Sequence, residues 1–153
     1  MVRMMPVDRL SDDDVREILR KYRKIALVGA SPNPERASND VMKYLIEHGY
    51  EVYPVNPRYS EVLGRKCYPS ILNIPDDIEI VDLFVRPKFA MDYVEQAVKK
   101  GAKVIWFQFR TYSREAFRRA REAGVTAVAH RCMKQEHERF LGRPGLPKRP
   151  LSL

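Results

Sequence analysis

The chain has 153 residues, of which 44% are hydrophobic and 31% charged, with a formal net charge of +8. That size and balance suit one globular domain with one core, and no apolar run approaches the ~20 residues of a membrane-spanning helix. Two cysteines, Cys67 and Cys132, are too few for a disulfide framework or a four-cysteine zinc site, and read as reduced thiols.

The opening "MVRMMPVDRLSDDD" has no apolar signal-peptide core, so a cytoplasmic protein is expected. Ser11 caps a first helix, about 11–23, with Asp12, Asp13 and Asp14 against its dipole and Val15, Ile18, Leu19 and Tyr22 at helical spacing. Ile25 to Gly29 reads as a buried strand. Ser38 is placed to cap a second helix with Val41, Met42, Leu45 and Ile46 inside, ended by Gly49. Residues 50–55 form a second strand, where Pro54 marks a strand end or a missing ladder bond. Residues 56–78 carry four prolines or glycines that break periodicity: Pro57, Gly64, Pro69 and Pro75. They read as a loop with one short helix near 70–72.

Residues 79–85 are a third strand. Pro87 opens a helix with an Ala90, Val94, Ala97 and Val98 stripe, closed by Gly101. Residues 103–108 are a fourth strand. Ser113 caps a helix burying Ala116, Phe117 and Ala120, and 125–129 are a fifth strand. A last helix spans about 133–140, and the basic, proline-rich 143–153 reads as an arm. Five apolar strands alternating with helices specify a three-layer α/β Rossmann-like sandwich with a mainly parallel five-stranded sheet. Such sheets take ligands at the carboxyl ends of their strands.

After the first strand comes "GASPNPERAS". Ser31 and Pro34 stand where a dinucleotide fingerprint needs glycines, and no P-loop Gly-Lys-Ser/Thr follows. What remains is a longer proline-stiffened loop. In it Gly29, Ala30, Ser31 and Pro32 admit a ligand to the backbone, Arg36 adds charge, and the N–H groups near Ser38, Asn39 and Asp40 offer an anion seat. After the second strand come Asn56, Pro57 and Arg58, where an NAD-binding protein places an acid for the ribose. An amide and a cation suit a ribose that bears a phosphate, as in NADP or coenzyme A. Val85, Arg86, Pro87 and Lys88 put cations at a helix start, where a bound anion offsets the dipole. Phe107 and Gln108 offer an apolar-polar strip after the fourth strand.

The segments "IALVGASPNPERASNDVMKYLIEHGYEVYPVNP", "VDLFVRP", "GAKVIWFQF" and "REAGVTAVAHRCMKQEH" together resemble the CoA-binding domain family, which is similar to the N-terminal domain of the succinyl-CoA synthetase α-subunit. The resemblance covers roughly 15–141. It implies one CoA-binding domain over 1–142, a coenzyme A or acyl-CoA ligand, and a holding rather than a catalytic role. It places the CoA phosphates and adenosine end on the Gly29 to Pro32 turn and Ser38, and the 3′-phosphoribose between Asn56, Pro57 and Arg58. Val85, Arg86 and Pro87 line the adenine side or the diphosphate, and Phe107 and Gln108 the pantetheine path. The synthetases carry a lysine shortly after the second-strand proline; Arg58 stands in for it here.

Two other readings share these residues. One is an NADP-binding oxidoreductase or sensor, which the absent glycines disfavour. The other is a CoA-dependent enzyme acting with a partner subunit, in which Cys132 or His130 carries chemistry. A basic chain also invites a nucleic-acid reading, but no RNP motif, zinc finger or recognition helix accompanies the charge. Open strand edges allow a homodimer.

Overall fold

The computed structural model describes residues 8–142; the 143–153 arm expected from the sequence lies outside them. The first helix, α1, spans Asp12–Lys21. Ser11 Oγ accepts from the Asp14 N–H while the Asp14 carboxylate accepts from the Ser11 N–H, a reciprocal capping box. Five strands follow in one parallel sheet: β1 (Lys24–Val28), β2 (Glu51–Val55), β5 (Ile80–Leu83), β6 (Val104–Phe107) and β7 (Thr126–Ala129), in the order β2-β1-β5-β6-β7. The numbers between belong to a hairpin, β3 (Glu61–Val62) and β4 (Arg65–Lys66). The helices are α2 (Ala37–Glu47), α3 (Pro87–Lys100), α4 (Arg114–Glu122) and α5 (Met133–Leu141).

Strand alternation divides the core into two layers. Ile25, Leu27, Ile80 and Trp106 face α1, α2 and α5, whereas Ala26, Val28, Val81 and Phe107 face α3 and α4. No described helix is long and apolar enough to cross a membrane.

Three expectations change. Ser38 does not cap α2. Arg36 occupies that position without a side-chain bond, and Ser38 is buried in the first turn. The β3–β4 hairpin was unforeseen, because its turn is made by Leu63 and Gly64, both at positive φ, and leucine gives no turn signal. The short helix near 70–72 is a 3-10 turn at Ile71–Asn73. Pro54 lies in edge strand β2, whose outer side carries a bridge from Val55 to Tyr68, so the lost donor falls where the ladder is incomplete.

Candidate functional site

The chain runs from β1 to β2 on one side, then crosses to β5 on the other. The strand order therefore reverses at β1, and the loops after β1 and β5 part there to form the crevice expected of an open parallel sheet. The two loops touch at its base. Gly29 sits at φ +86, and a Cβ there would lie 2.3 Å from the Phe84 carbonyl oxygen. Only glycine allows both the backbone angle and the approach.

Above Gly29 the loop is pinned from within. The Gly29 N–H donates to the Val55 carbonyl at 2.9 Å. Asn56 Nδ2 donates to the Ala30 carbonyl at 2.9 Å while Asn56 Oδ1 accepts from the Arg58 N–H at 2.9 Å. One amide thus ties the β1 loop to the β2 loop. Buried Asn39 does the same from α2, donating to the Ser31 carbonyl at 2.9 Å. Ser31 Oγ accepts from the Asn33 N–H, and Asn33 Oδ1 from the Glu35 N–H, so successive side-chain turns replace the missing glycine fingerprint. Asn39 escaped notice as a side chain because nothing in its spacing distinguishes it from any helix asparagine.

The N–H groups at the start of α2 divide differently from expectation. Those of Asn39 and Asp40 donate to the Arg36 carbonyl, while those of Ala37 and Ser38 have no partner among the described residues. The free donors at the positive end of α2 thus begin one residue earlier, and Ser38 is among them as expected. Arg36, Arg58 and Arg86 follow β1, β2 and β5 respectively. All three are exposed, and none has an ion-pair partner among the described residues. Pro32, Pro57 and Pro87 are also exposed, and Val85 is half-buried.

Beyond the loops a cleft of about 350 Å³ opens between α2 and α5, lined by Ala37, Asp40, Val41, Phe84, Gln108, Phe109, Cys132, Lys134, Gln135 and Glu138. Lys134 Nζ and Asp40 Oδ2 meet at 2.9 Å across it. Gln108 lines it as expected of a strand-end residue, and its Oε1 also accepts from the Met133 N–H at 2.9 Å, capping α5. Phe107 does not reach it. The ring is fully buried on the opposite face of the sheet, 5.6 Å from Phe117. Residue parity explains the correction: Phe107 and Gln108 point to opposite faces, so one strand end cannot present both. The aromatic rings at the cleft are Phe84 and Phe109.

His130, at φ +60, is exposed with its ring 4.9 Å from Tyr112, and it is not among the cleft residues. Cys132 is at the cleft; Cys67 is not, and burial pushes its thiol pKa up. On the α2/α5 side, His137 Nδ1 lies 2.8 Å from the Tyr44 hydroxyl. Burial, then the nearby His48 and Arg23, lower the His137 pKa to about 4. No group of three or more metal-ligating side chains occurs among the described residues.

A parallel Rossmann-like sheet whose first three strands in chain order within it are followed by pinned loops with exposed arginines places the chain in the class of open α/β folds. A family model described as "CoA binding domain" matches residues 23–138. The chain belongs to that CoA-binding domain family. It is 35% identical over 127 residues to the Bacillus subtilis protein YneT, spanning 83% of this chain and 94% of that one. It is 39% identical over 95 residues to acetate–CoA ligase [ADP-forming] I subunit alpha of Pyrococcus furiosus, covering 58% of this chain but 21% of the relative. The chain thus spans only about a fifth of that ligase subunit. A solved Pyrococcus horikoshii OT3 structure, a hypothetical protein, superposes with TM-score 0.90 at 69% identity, covering 93% of this chain and all of that one.

Proposed function

We propose that the chain holds coenzyme A or an acyl-CoA at the carboxyl ends of β1, β2 and β5, and does not itself turn the ligand over. The observation that carries this reading is the set of three exposed arginines without ion-pair partners among the described residues, one after each of those strands, together with the free N–H groups of Ala37 and Ser38. A ligand with phosphates at both the ribose and the pyrophosphate matches several separate cations better than a single anion does.

In this reading Gly29, Ala30, Ser31 and Pro32 give a backbone cradle. Ser38 and Arg36 meet the pyrophosphate, and Asn56, Pro57 and Arg58 flank the 3′-phosphoribose. Val85, Arg86 and Pro87 border the adenine side, and Gln108, with Phe84 and Phe109, borders the pantetheine arm. A second reading, an acyl-CoA enzyme completed by a partner, has support in the ligase relative being named as a subunit.

The test is a calorimetric pair of titrations, CoA and dephospho-CoA, on wild type and Arg58→Ala. A charge-assisted contact of about 1.5–3 kcal/mol predicts roughly 10- to 100-fold weaker CoA binding and nearly unchanged dephospho-CoA binding in the variant. Equal losses for both ligands remove Arg58 from the phosphoribose.

A further inference from the structure

Gln108 directly follows β6 and is only 4% exposed. Its backbone carbonyl accepts from the Thr111 N–H at 3.1 Å and from the Thr111 hydroxyl at 2.7 Å, which holds the turn after the strand. Its side-chain Oε1 accepts from the Met133 N–H at 2.9 Å. An N–H must face an oxygen, so this bond fixes which end of the amide is which. The Nε2 end, with two N–H donors, has no hydrogen-bond partner among the described residues. Nor is it sealed in the core. The unpartnered side-chain atoms that are fully enclosed are the two Asp82 oxygens, whereas Gln108 lines the cleft between α2 and α5.

Buried polar groups are normally satisfied, so a held amide whose donor end is left over at a cleft marks a place where a ligand's oxygen is received. The cleft indicates which kind of oxygen. Its walls include Val41, Phe84 and Phe109, and its charged groups are two carboxylates, Asp40 and Glu138, against one ammonium, Lys134. That ammonium already lies 2.9 Å from Asp40. A carboxylate or phosphate would meet excess negative charge here, whereas a neutral carbonyl with hydrocarbon beyond it meets a donor and apolar walls. The volume of about 350 Å³ is at the small end of ligand cavities, so that hydrocarbon is short. The cleft also adjoins the strand-end crevice. Ala37, whose free N–H opens α2, lines it, as does Phe84, whose carbonyl abuts Gly29.

We infer that the cleft receives the acyl group of a short-chain, uncharged acyl-CoA, whose thioester carbonyl accepts from Gln108 Nε2 while its hydrocarbon lies against Val41, Phe84 and Phe109. This rests on the CoA reading above and narrows it: the acylated form is the preferred ligand, and Gln108 reads the carbonyl. No bond of the thioester is broken.

The test is calorimetric titration of the full chain, wild type and Gln108→Glu, with CoA, butyryl-CoA, succinyl-CoA and S-butyl-CoA, the thioether in which a methylene replaces the carbonyl. Glutamate keeps an oxygen for the Met133 N–H and replaces the free donor with an acceptor. Wild type should bind butyryl-CoA roughly tenfold tighter than S-butyl-CoA. Succinyl-CoA should bind less tightly than butyryl-CoA. In Gln108→Glu, butyryl-CoA should weaken roughly tenfold or more, while CoA and S-butyl-CoA change by less than about threefold. Unchanged thioether binding also shows that the variant is folded; if it does not fold, the wild-type comparison of thioester with thioether decides. Equal wild-type affinity for those two, an equal loss for all ligands in the variant, or succinyl-CoA as the tightest ligand overturns the inference. Each of these leaves the CoA reading standing. Failure to bind any CoA compound removes that reading first, and the inference with it.

Discussion

Asp82→Leu should make the protein more stable. The wild-type carboxyl sits in a central strand between Leu27 and Trp106, fully buried, with both oxygens unpartnered. Leaving a buried polar group unsatisfied costs about 1–3 kcal/mol, so an apolar side chain of similar size gains roughly that amount. Ionisation makes the wild type worse. Burial holds the Asp82 pKa well above the ordinary carboxylate range. The folded state therefore keeps a proton that the unfolded chain, with its acid near 3.9, gives up. A raised acid contributes its full stability below the unfolded pKa and loses it as pH climbs towards the folded value. The variant's advantage should then grow by about 1.4 kcal/mol per pH unit above ~4, and stop growing once the buried acid ionises. Urea denaturation of both proteins from pH 4 to 9 measures the difference directly. Asp82→Asn should abolish the slope without the gain, since an amide has the same need for partners. A wild-type-to-leucine difference that is flat with pH, or that favours the wild type, refutes a neutral, unpartnered Asp82.

Gly29→Ala should destabilise by about 2 kcal/mol or more, because the new Cβ meets the Phe84 carbonyl at 2.3 Å in a left-handed backbone; thermal unfolding reads the loss, and an unchanged midpoint would show that the β1 and β5 loops can separate freely. Asn56→Ala leaves the Ala30 carbonyl and the Arg58 N–H without their partner, so unfolding should become easier by about 1–3 kcal/mol and CoA affinity should fall with it. His137 has a depressed pKa, so its contribution is present above the unfolded value near 6.5 and is lost as pH falls towards about 4. Acid denaturation should therefore begin near pH 6 and steepen towards 4, with roughly 2 kcal/mol at stake once partial solvation is allowed for. His137→Gln should blunt that slope, and identical acid profiles would count against the buried neutral imidazole.

Much of the fold was legible because each strand is a short apolar run and each helix carries its stop or start in chemistry. Ser11 and Ser113 cap as expected, Pro87 opens α3, and Gly101 closes it at φ +83. Ser38 misled because a serine two residues into a helix carries the same sequence signal as one at its cap, and here the cap position falls on Arg36. The strand ends pointed to the crevice, since parallel sheets leave ligand space there and the loops after β1, β2 and β5 carry the arginines. Which side chain faces the cleft was not legible at Phe107, where one residue of register decides between core and site. The roles of Asn39 and Asn56 as pins, and the placing of Cys132 at the cleft, depend on contacts between elements far apart in the chain.

On the proposed function, this chain binds CoA and leaves it intact. Titrating the purified protein with CoA and, in parallel, with NADPH, then recovering the CoA by chromatography, tests it most directly. One CoA should bind per chain with a dissociation constant of about 1 μM or tighter, NADPH should give a heat no larger than dilution, and the CoA should return unchanged. Saturable NADPH binding with no response to CoA would contradict it.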